Sequence, residues 1–390
     1  MKTTTRVPGA AGGATPPVAG GRFGAGGPVV LVTIVATLCV VGLVMVLSAS
    51  SVQALRDQGS SWSYFLRQLL WVAVGGTAMM LAARVDYRRW RRLGLPLLVL
   101  SAALLVAVLV PGVGIQAGGS TRWLGIGGWR VQPSELAKLA LLLFSADLLS
   151  RLQGPGRVRS AMWGAVTGFG LLAALVMLQP DMGTTLILGA VTMAVLFAGA
   201  VPLPTMAGLV AASVAGAVAA GYAEPYRRAR LLSFRNPWAD PDNTGYQVVQ
   251  SLVGMGTGRV TGVGVGASRA KWGFLPNAHT DFIFAIIGEE LGLIGSLAVL
   301  ALFAGLTVLG VRTALRAPDL FGVLLAAGVT AWIASQAVVN IGAVTGMLPV
   351  TGVPLPFVSF GGSSLVILMV AVGILANVAA QGGRAARAAR

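Results

Sequence analysis

The side chains best suited to chemistry lie in one segment, residues 275–292, with the sequence LPNAHTDFIFAIIGEELG. This segment contains the single histidine of the chain, His279, then Asp281, and further along the adjacent Glu289 and Glu290. A carboxylate near cationic groups stays ionised, and an ionised carboxylate can accept a proton from a hydroxyl. We therefore interpret Asp281 as a candidate catalytic base.

The same side chains also have structural interpretations. Asp281 directly precedes an apolar helix, which it could cap in competition with Thr280. A lone histidine at an interface is more often a hydrogen-bonding support than a catalyst, so His279 is expected to support the site. Glu289 and Glu290 lie about 12–14 Å deeper along the helix at 1.5 Å per residue. Of the two, Glu290 is the better partner for an intramembrane lysine or arginine.

Two further segments place charges among apolar residues. QPSELAKLALLLFSADLL puts Glu135 and Lys138 three residues apart, so they share a helix face and can pair. Such a pair could tether neighbouring helices, line a polar cavity, or do both. In QPDMGTT, Pro180 ends one helix and Asp181 is expected to cap the next.

The longest connection, residues 222–281, is basic. Its cationic side chains are Arg227, Arg228, Arg230, Arg235, Arg259, Arg269 and Lys271. They could form a solvated basic surface or bind an anionic ligand. The glycine-rich run GMGTGRVTGVGVGASRAKWG lacks the preceding strand of a dinucleotide fingerprint. Its glycines could instead form a tight turn whose amides face an anion near Arg269 and Lys271.

A second connection, residues 347–364, carries no charge and has the sequence MLPVTGVPLPFVSFGGSS. Its prolines and glycines prevent a continuous helix, so it is expected to be a re-entrant or lining segment at the outer face. Ser359, Ser363 and Ser364 offer polar contacts there, and Ser363 is a candidate for substrate binding.

The elements that must position these residues are membrane helices. The chain is 56% hydrophobic and 10% charged, whereas about 25% of residues are charged in soluble domains. Apolar blocks of a length that spans a bilayer recur, and the alternating pattern of a membrane barrel is absent from the sequence. We predict an all-α polytopic bundle of ten transmembrane helices. The predicted spans are 29–48, 65–83, 93–110, 135–150, 161–178, 183–201, 203–221, 282–311, 320–346 and 361–380.

The basic residues predict the orientation of these spans. Ten spans put both termini on one side, and most basic residues outside 222–281 then fall on the side of the termini. By the positive-inside rule both termini are cytoplasmic. Residues 1–28 are predicted to be a disordered tail, 29–380 the membrane domain and 381–390 a basic tail. The net charge of +16 is thus explained by topology, and no nucleic-acid partner is expected.

Four segments carry a resemblance to a known family. NAHTDFIFAIIGEELGLIG, QPSELAKLA, QPDMGTT and MLPVTGVPLPFVSFGGSS resemble the signature segments of the SEDS family of shape, elongation, division and sporulation proteins. The similarity runs from about residue 29 to 380. GVGVGASRAKWGFLPNAHTDF is more similar to the FtsW branch than to the RodA branch.

The resemblance implies a peptidoglycan glycosyltransferase that polymerises lipid II at the outer face of the bacterial cytoplasmic membrane, for septal synthesis in division. It places the family's essential aspartate on Asp281 and its intramembrane Glu and Lys on Glu135 and Lys138. It also implies a class B penicillin-binding protein as transpeptidase partner, together with other divisome proteins. Two departures are Asn277, where some relatives carry an acidic residue, and Phe360, which replaces a frequent tyrosine.

The residues suit that chemistry. Asp281 is available to deprotonate the acceptor sugar, and cations are needed where charge develops on the leaving pyrophosphate. Arg227, Arg228, Arg269 and Lys271 are the candidates, and a divalent cation, Mg²⁺ or Mn²⁺, could share the role. No organic cofactor is expected. Glu135, Lys138, His279 and Ser363 are further candidates for substrate contact, whereas Asp181 and Glu290 are candidates for cavity structure.

Three alternatives remain open at this point. The chain could instead flip lipid II across the membrane, serve as a scaffold of a division complex, or act as a RodA-type elongation polymerase. Transport needs polar groups through the whole membrane depth, whereas catalysis needs them only at the outer face. The polar groups cluster outside, with Asp147, Glu289 and Glu290 as deeper exceptions, and this favours the enzyme.

Overall fold

The computed structural model describes residues 27–117, 120–126, 129–152, 154, 156–222 and 234–388. Within these ranges the chain forms eleven α-helices and one small sheet. The helices are α1 Gly27–Gln58, α2 Ser63–Arg84, α3 Gly94–Leu109, α4 Pro133–Arg151, α5 Arg157–Leu178, α6 Met182–Ala198, α7 Leu203–Tyr222, α8 Tyr246–Gly258, α9 Ile283–Leu315, α10 Leu320–Val344 and α11 Gly362–Ala388. The last helix therefore continues into the residues predicted as a basic tail.

The predicted all-α polytopic class is confirmed. Seven helices of the described residues are long and apolar enough to cross a membrane by length and composition, namely α1, α2, α3 with the turn before it, α5, α9, α10 and α11. The stretches Met182–Ala198 and Leu203–Gly216 are shorter apolar helices, and α4 carries charged residues. Each of the ten predicted spans overlaps a helix, so the chain is a multi-pass membrane protein, while the exact count of ten stays a prediction.

Helix α9 is not the continuous span predicted from the sequence. Gly292 interrupts it with φ of 66° and ψ of −161°, a conformation that glycine reaches without steric penalty. The backbone groups released by the break find partners in the segment after α8. Val263 donates to the Glu289 carbonyl at 3.0 Å, and Leu293 donates to the Arg259 carbonyl at 3.0 Å. Broken helices are tolerated at membrane depth where protein satisfies the freed groups in this way.

Two connections on the predicted outer side have structure of their own. Between α3 and α4, the strands β1 Gly114–Ala117, β2 Ser120–Ile126 and β3 Trp129–Val131 form an antiparallel sheet in the order β1-β2-β3. The long basic connection contains α8, which packs against α9. Its residues 223–233 lie outside the described part of the chain.

The site is organised around α10. This helix contacts α4, α6, α9 and α11, while α11 packs along α2. Most of α4 and α10 is buried, so polar residues on these two helices face other protein groups rather than lipid. The non-helical segment 347–361 follows α10 directly.

Candidate active site

Asp281 lies at the entrance to α9, in a turn, and is partly buried. The helix begins at Ile283 with Phe282 as its N-cap residue, and the Phe282 side chain makes no capping hydrogen bond. Asp281 therefore lies one residue outside the cap position. Its Oδ2 is 3.5 Å from the position that a Cβ on Gly352 would occupy. The carboxylate thus faces the backbone of the non-helical segment.

The backbone on either side of Asp281 is held from outside the turn. Three consecutive carbonyls accept hydrogen bonds: His279 from the Phe360 amide at 3.0 Å, Thr280 from the Ser359 hydroxyl at 2.6 Å, and Asp281 from the Asn340 Nδ2 at 2.7 Å. Two of the three donors belong to segment 347–361 and the third to α10. The predicted lining segment thus contacts the turn that carries the candidate base.

Asn340 and Gln336, one turn apart on α10, hold the next part of the same segment. The Nδ2 of Asn340 also donates to the Val353 carbonyl at 2.7 Å. The Nε2 of Gln336 donates to the Pro354 carbonyl at 3.0 Å. Both side chains are about 2% exposed, and buried amides are stable only with such partners.

The predicted pair of Glu135 and Lys138 is formed and buried. The two charged atoms are 2.9 Å apart, with side-chain exposures of 4% for Glu135 and 2% for Lys138. Lys138 also donates to the Gln336 Oε1 at 3.2 Å and lies 5.1 Å from the centre of the Trp332 ring. Through Gln336, this pair is linked to the segment that faces Asp281.

Asp181 caps α6, as expected. Its Oδ1 accepts from the Thr184 amide at 3.0 Å, and its Oδ2 accepts from the Thr184 hydroxyl at 2.9 Å. Arg122 of β2 lies 3.8 Å from the same Oδ2. The candidate Ser363 accepts a hydrogen bond from the Gln132 amide at 3.1 Å, which places it beside the start of α4.

His279 is buried among aromatic rings. Its ring centre lies 4.9 Å from that of Tyr64 and 5.7 Å from that of Phe360. Burial lowers the pKa of His279 from 6.5 to about 4, and Asp57 opposes this shift without reversing it. The imidazole is therefore neutral at pH 7. This setting suits the supporting role expected for His279.

Glu290 does not have the basic partner that the sequence led us to expect. Among the described residues, its Oε1 accepts from the Ser48 hydroxyl at 2.6 Å and from the Ser268 amide at 3.3 Å. Glu289 accepts from the Ser268 hydroxyl at 2.5 Å and from the Arg269 amide at 2.9 Å. The break in α9 brings the loop backbone to both carboxylates, and backbone amides replace the expected cation.

The predicted cations divide into two groups. Arg227 and Arg228 lie outside the described residues. Arg269 is exposed directly after the Ser268 anchor, and Lys271 donates to the Gly266 carbonyl. Arg269 and Lys271 are therefore carried by a loop whose base is fixed on Glu289.

The described part of the chain contains no group of three or more His, Cys, Asp and Glu side chains that could hold a metal ion. Magnesium is commonly held by one or two carboxylates together with substrate phosphates. A protein-only metal cage is therefore not the arrangement that these residues suit, whereas a cation brought by a phosphorylated substrate is compatible with them.

Sequence reasoning missed Gln336 and Asn340. Their signal was present, since two amides four residues apart in the apolar run ASQAVVNIG share one helix face. Polar residues in a membrane span are costly and usually have partners. The sequence does not show what those partners are.

Comparisons with known proteins agree with this arrangement. The chain matches the family described as Cell cycle protein, which groups FtsW, RodA and SpoVE, over residues 29–383. It is 42% identical to stage V sporulation protein E of Bacillus subtilis over 351 residues, covering 89% of this chain and 95% of the relative. It is also 42% identical to the probable peptidoglycan glycosyltransferase FtsW of Geobacter metallireducens over 357 residues, covering 90% and 93%.

Solved structures show the same fold. A chain of a complex described as a peptidoglycan synthase that coordinates polymerization and crosslinking superposes with a TM-score of 0.73 and 29% identity, covering 90% of this chain and 97% of that chain. The rod shape determining protein RodA of Thermus thermophilus superposes with a TM-score of 0.66 and 27% identity, covering 90% and 95%.

Proposed function

This chain belongs to the cell cycle protein family of FtsW, RodA and SpoVE, and we propose on that basis that it is a peptidoglycan glycosyltransferase. It polymerises lipid II, a disaccharide-pentapeptide on undecaprenyl pyrophosphate, into glycan strands at the outer face of the bacterial cytoplasmic membrane. The observation that carries the proposal is the backbone-held Asp281 carboxylate, which faces Gly352 and is linked through α10 to the buried Glu135–Lys138 pair.

In the proposed reaction Asp281 accepts the proton of the acceptor sugar hydroxyl. The resulting oxygen forms a bond to the anomeric carbon of the donor, the bond from that carbon to the pyrophosphate oxygen breaks, and undecaprenyl pyrophosphate leaves with the bonding electrons. A carboxylate is a weak base at neutral pH, so accurate placement must supply much of the rate. The hydrogen bonds to the turn around Asp281 provide such placement.

Negative charge develops on the pyrophosphate as it leaves, and cations stabilise it. Arg269 and Lys271 supply this charge in our proposal, together with Arg227 and Arg228. A divalent cation, Mg²⁺ or Mn²⁺, would be held mainly by the pyrophosphate oxygens and would add positive charge there. Glu135, Lys138, His279 and Ser363 line or support the substrate cavity.

We assign the chain to division-type synthesis rather than elongation, because relatives named FtsW and SpoVE match at 42% identity and the RodA structure at 27%. A class B penicillin-binding protein is the proposed crosslinking partner, since the chain resembles a subunit of a complex that coordinates polymerization and crosslinking. Both termini are proposed to be cytoplasmic, and other divisome proteins complete the assembly.

The direct test is glycan synthesis from lipid II by the purified protein in detergent or vesicles, with and without the penicillin-binding protein. We expect long glycan strands on gels when the partner is present. Translocation of lipid II across vesicles, without polymer under any of these conditions, would instead support transport and overturn the proposal.

A further inference from the structure

We propose that Asn340 is a positioning residue that orients the Asp281 carboxylate for proton transfer, with Ser359 as its counterpart on the other side. This inference rests on the proposed function, because it takes Asp281 as the base. It goes further by naming the groups outside the turn that determine where that base points.

The argument begins with the two peptide planes that flank the Cα of Asp281. The plane before it carries the Thr280 carbonyl, which accepts from the Ser359 hydroxyl at 2.6 Å. The plane after it carries the Asp281 carbonyl, which accepts from the Asn340 Nδ2 at 2.7 Å. Because both planes are held, φ and ψ of Asp281 are fixed, and so is the direction of its Cα–Cβ bond.

Asn340 also fixes the surface opposite the carboxylate. Its second N–H bond goes to the Val353 carbonyl at 2.7 Å, one residue after the Gly352 that faces Asp281 Oδ2. A single amide group therefore sets the position of the carboxylate and of the backbone across from it. This is more specific than general packing, because both N–H groups of one side chain bridge the two walls of one gap.

The supports of these two donors are themselves rigid. Asn340 lies within α10 and is 2% exposed, so its side chain has little freedom. The Ser359 hydroxyl accepts from the Leu355 amide at 2.8 Å while it donates to Thr280. Catalytic groups lose about 100-fold in rate when misplaced by 1 Å, so loosening either donor should reduce turnover.

The matched control is Asn377, a second buried helical asparagine with two backbone partners. It donates to the Ala83 carbonyl at 2.8 Å and accepts from the Tyr87 amide at 3.0 Å. Asn340→Leu and Asn377→Leu each remove one buried amide, and both are expected to lower the melting temperature. Only the first removes a bond to the turn that carries Asp281.

The experiment measures glycan synthesis and amide hydrogen exchange in the full-length protein with its penicillin-binding partner. Asn340→Leu should lower kcat by about 10-fold to 100-fold with KM changed less than about twofold, and should speed exchange in residues 279–283. Asn377→Leu should leave kcat and that exchange near wild type. Equal kcat in the two variants would overturn the proposal, since the role of Asn340 would then be only structural.

Ser359 keeps the test decisive if Asn340→Leu does not fold. Ser359→Ala removes the hydroxyl and should lower kcat, whereas Ser359→Thr keeps a hydroxyl and should restore at least part of it. Unchanged kcat in Ser359→Ala would also overturn the proposal. Full activity of Asp281→Asn would reject the proposed base itself. Loss of activity in Asp281→Asn, with normal kcat in Asn340→Leu and Ser359→Ala, would reject only the positioning role.

Discussion

Gln336 and Asn340 lie one turn apart on α10, and their amides hold the adjacent carbonyls of Pro354 and Val353. Gln336 also accepts from Lys138, and Asn340 also donates to Asp281. The buried ion pair of α4 and the candidate base before α9 are therefore connected through one helix face and two consecutive residues of segment 347–361.

Asp281→Asn should lower glycan polymerisation by at least about 100-fold, the range expected for a lost general base. The amide keeps the size of the side chain but removes its basicity, so the melting temperature and lipid II binding should stay near wild type. Asp240→Asn, an equivalent change in the outer connection, is the control and should remain active. Long glycan made by purified Asp281→Asn at the wild-type rate would contradict the assignment.

Glu135→Gln and Lys138→Met should be strongly coupled in stability. Each single change leaves a buried charge uncompensated, at about 3–5 kcal/mol, whereas the double change removes both charges. Thermal melts in detergent should show that the double variant loses far less than the sum of the single losses. Arg151→Met, in the more exposed pair with Asp147, should cost less than about 1 kcal/mol. Simple additivity of the Glu135 and Lys138 changes would argue against a buried pair.

Gly352→Ala should reduce kcat because the new Cβ would lie 3.5 Å from Asp281 Oδ2. The position also has φ of 72°, so alanine adds backbone strain of about 1–2 kcal/mol. Gly59→Ala controls for the strain, since Gly59 has φ of 70° and a Cβ there would meet nothing within 4 Å. Equal activity of the two variants would show that the space beside Asp281 does not matter for turnover.

Neutralising Arg269 and Lys271 together should slow turnover or weaken lipid II binding on the order of 10-fold to 100-fold, as expected for lost stabilisation of a developing anion. Neutralising Arg312 and Arg316 removes the same formal charge at the far end of α9 and should have a smaller effect. The difference should shrink with a substrate that lacks one phosphate. Equal losses from both double variants, with either substrate, would place the anion site elsewhere.

His279 should make stability depend on pH between about 6.5 and 4. Its pKa is about 4 in the folded protein against 6.5 ordinarily, so the unfolded chain binds more protons in this window. Stability from neutral His279 is fully present above pH 6.5 and is lost as the pH falls towards 4. Melts of wild type and His279→Asn at several pH values measure this, because the chain has no other histidine. Parallel pH profiles for the two proteins would contradict the prediction.

The sequence alone determined the features that depend on local chemistry. Long apolar blocks predict membrane helices because a bilayer excludes unpaired backbone groups, and helices overlap all ten predicted spans. Glu135 and Lys138 pair because residues three apart share a helix face. Asp181 caps α6 because its carboxylate can reach amides one turn ahead. Each of these relations is confined to a few consecutive residues.

The tertiary structure alone decided the contacts between distant segments. Asn340 and Asp281 are 59 residues apart, and no local pattern specifies that one amide will reach the other's carbonyl. The basic partner expected for Glu290 was wrong because the break at Gly292 brings the Ser268 backbone to that carboxylate. A buried polar group takes whichever partner packing provides, so the partner is known only once the helices are packed.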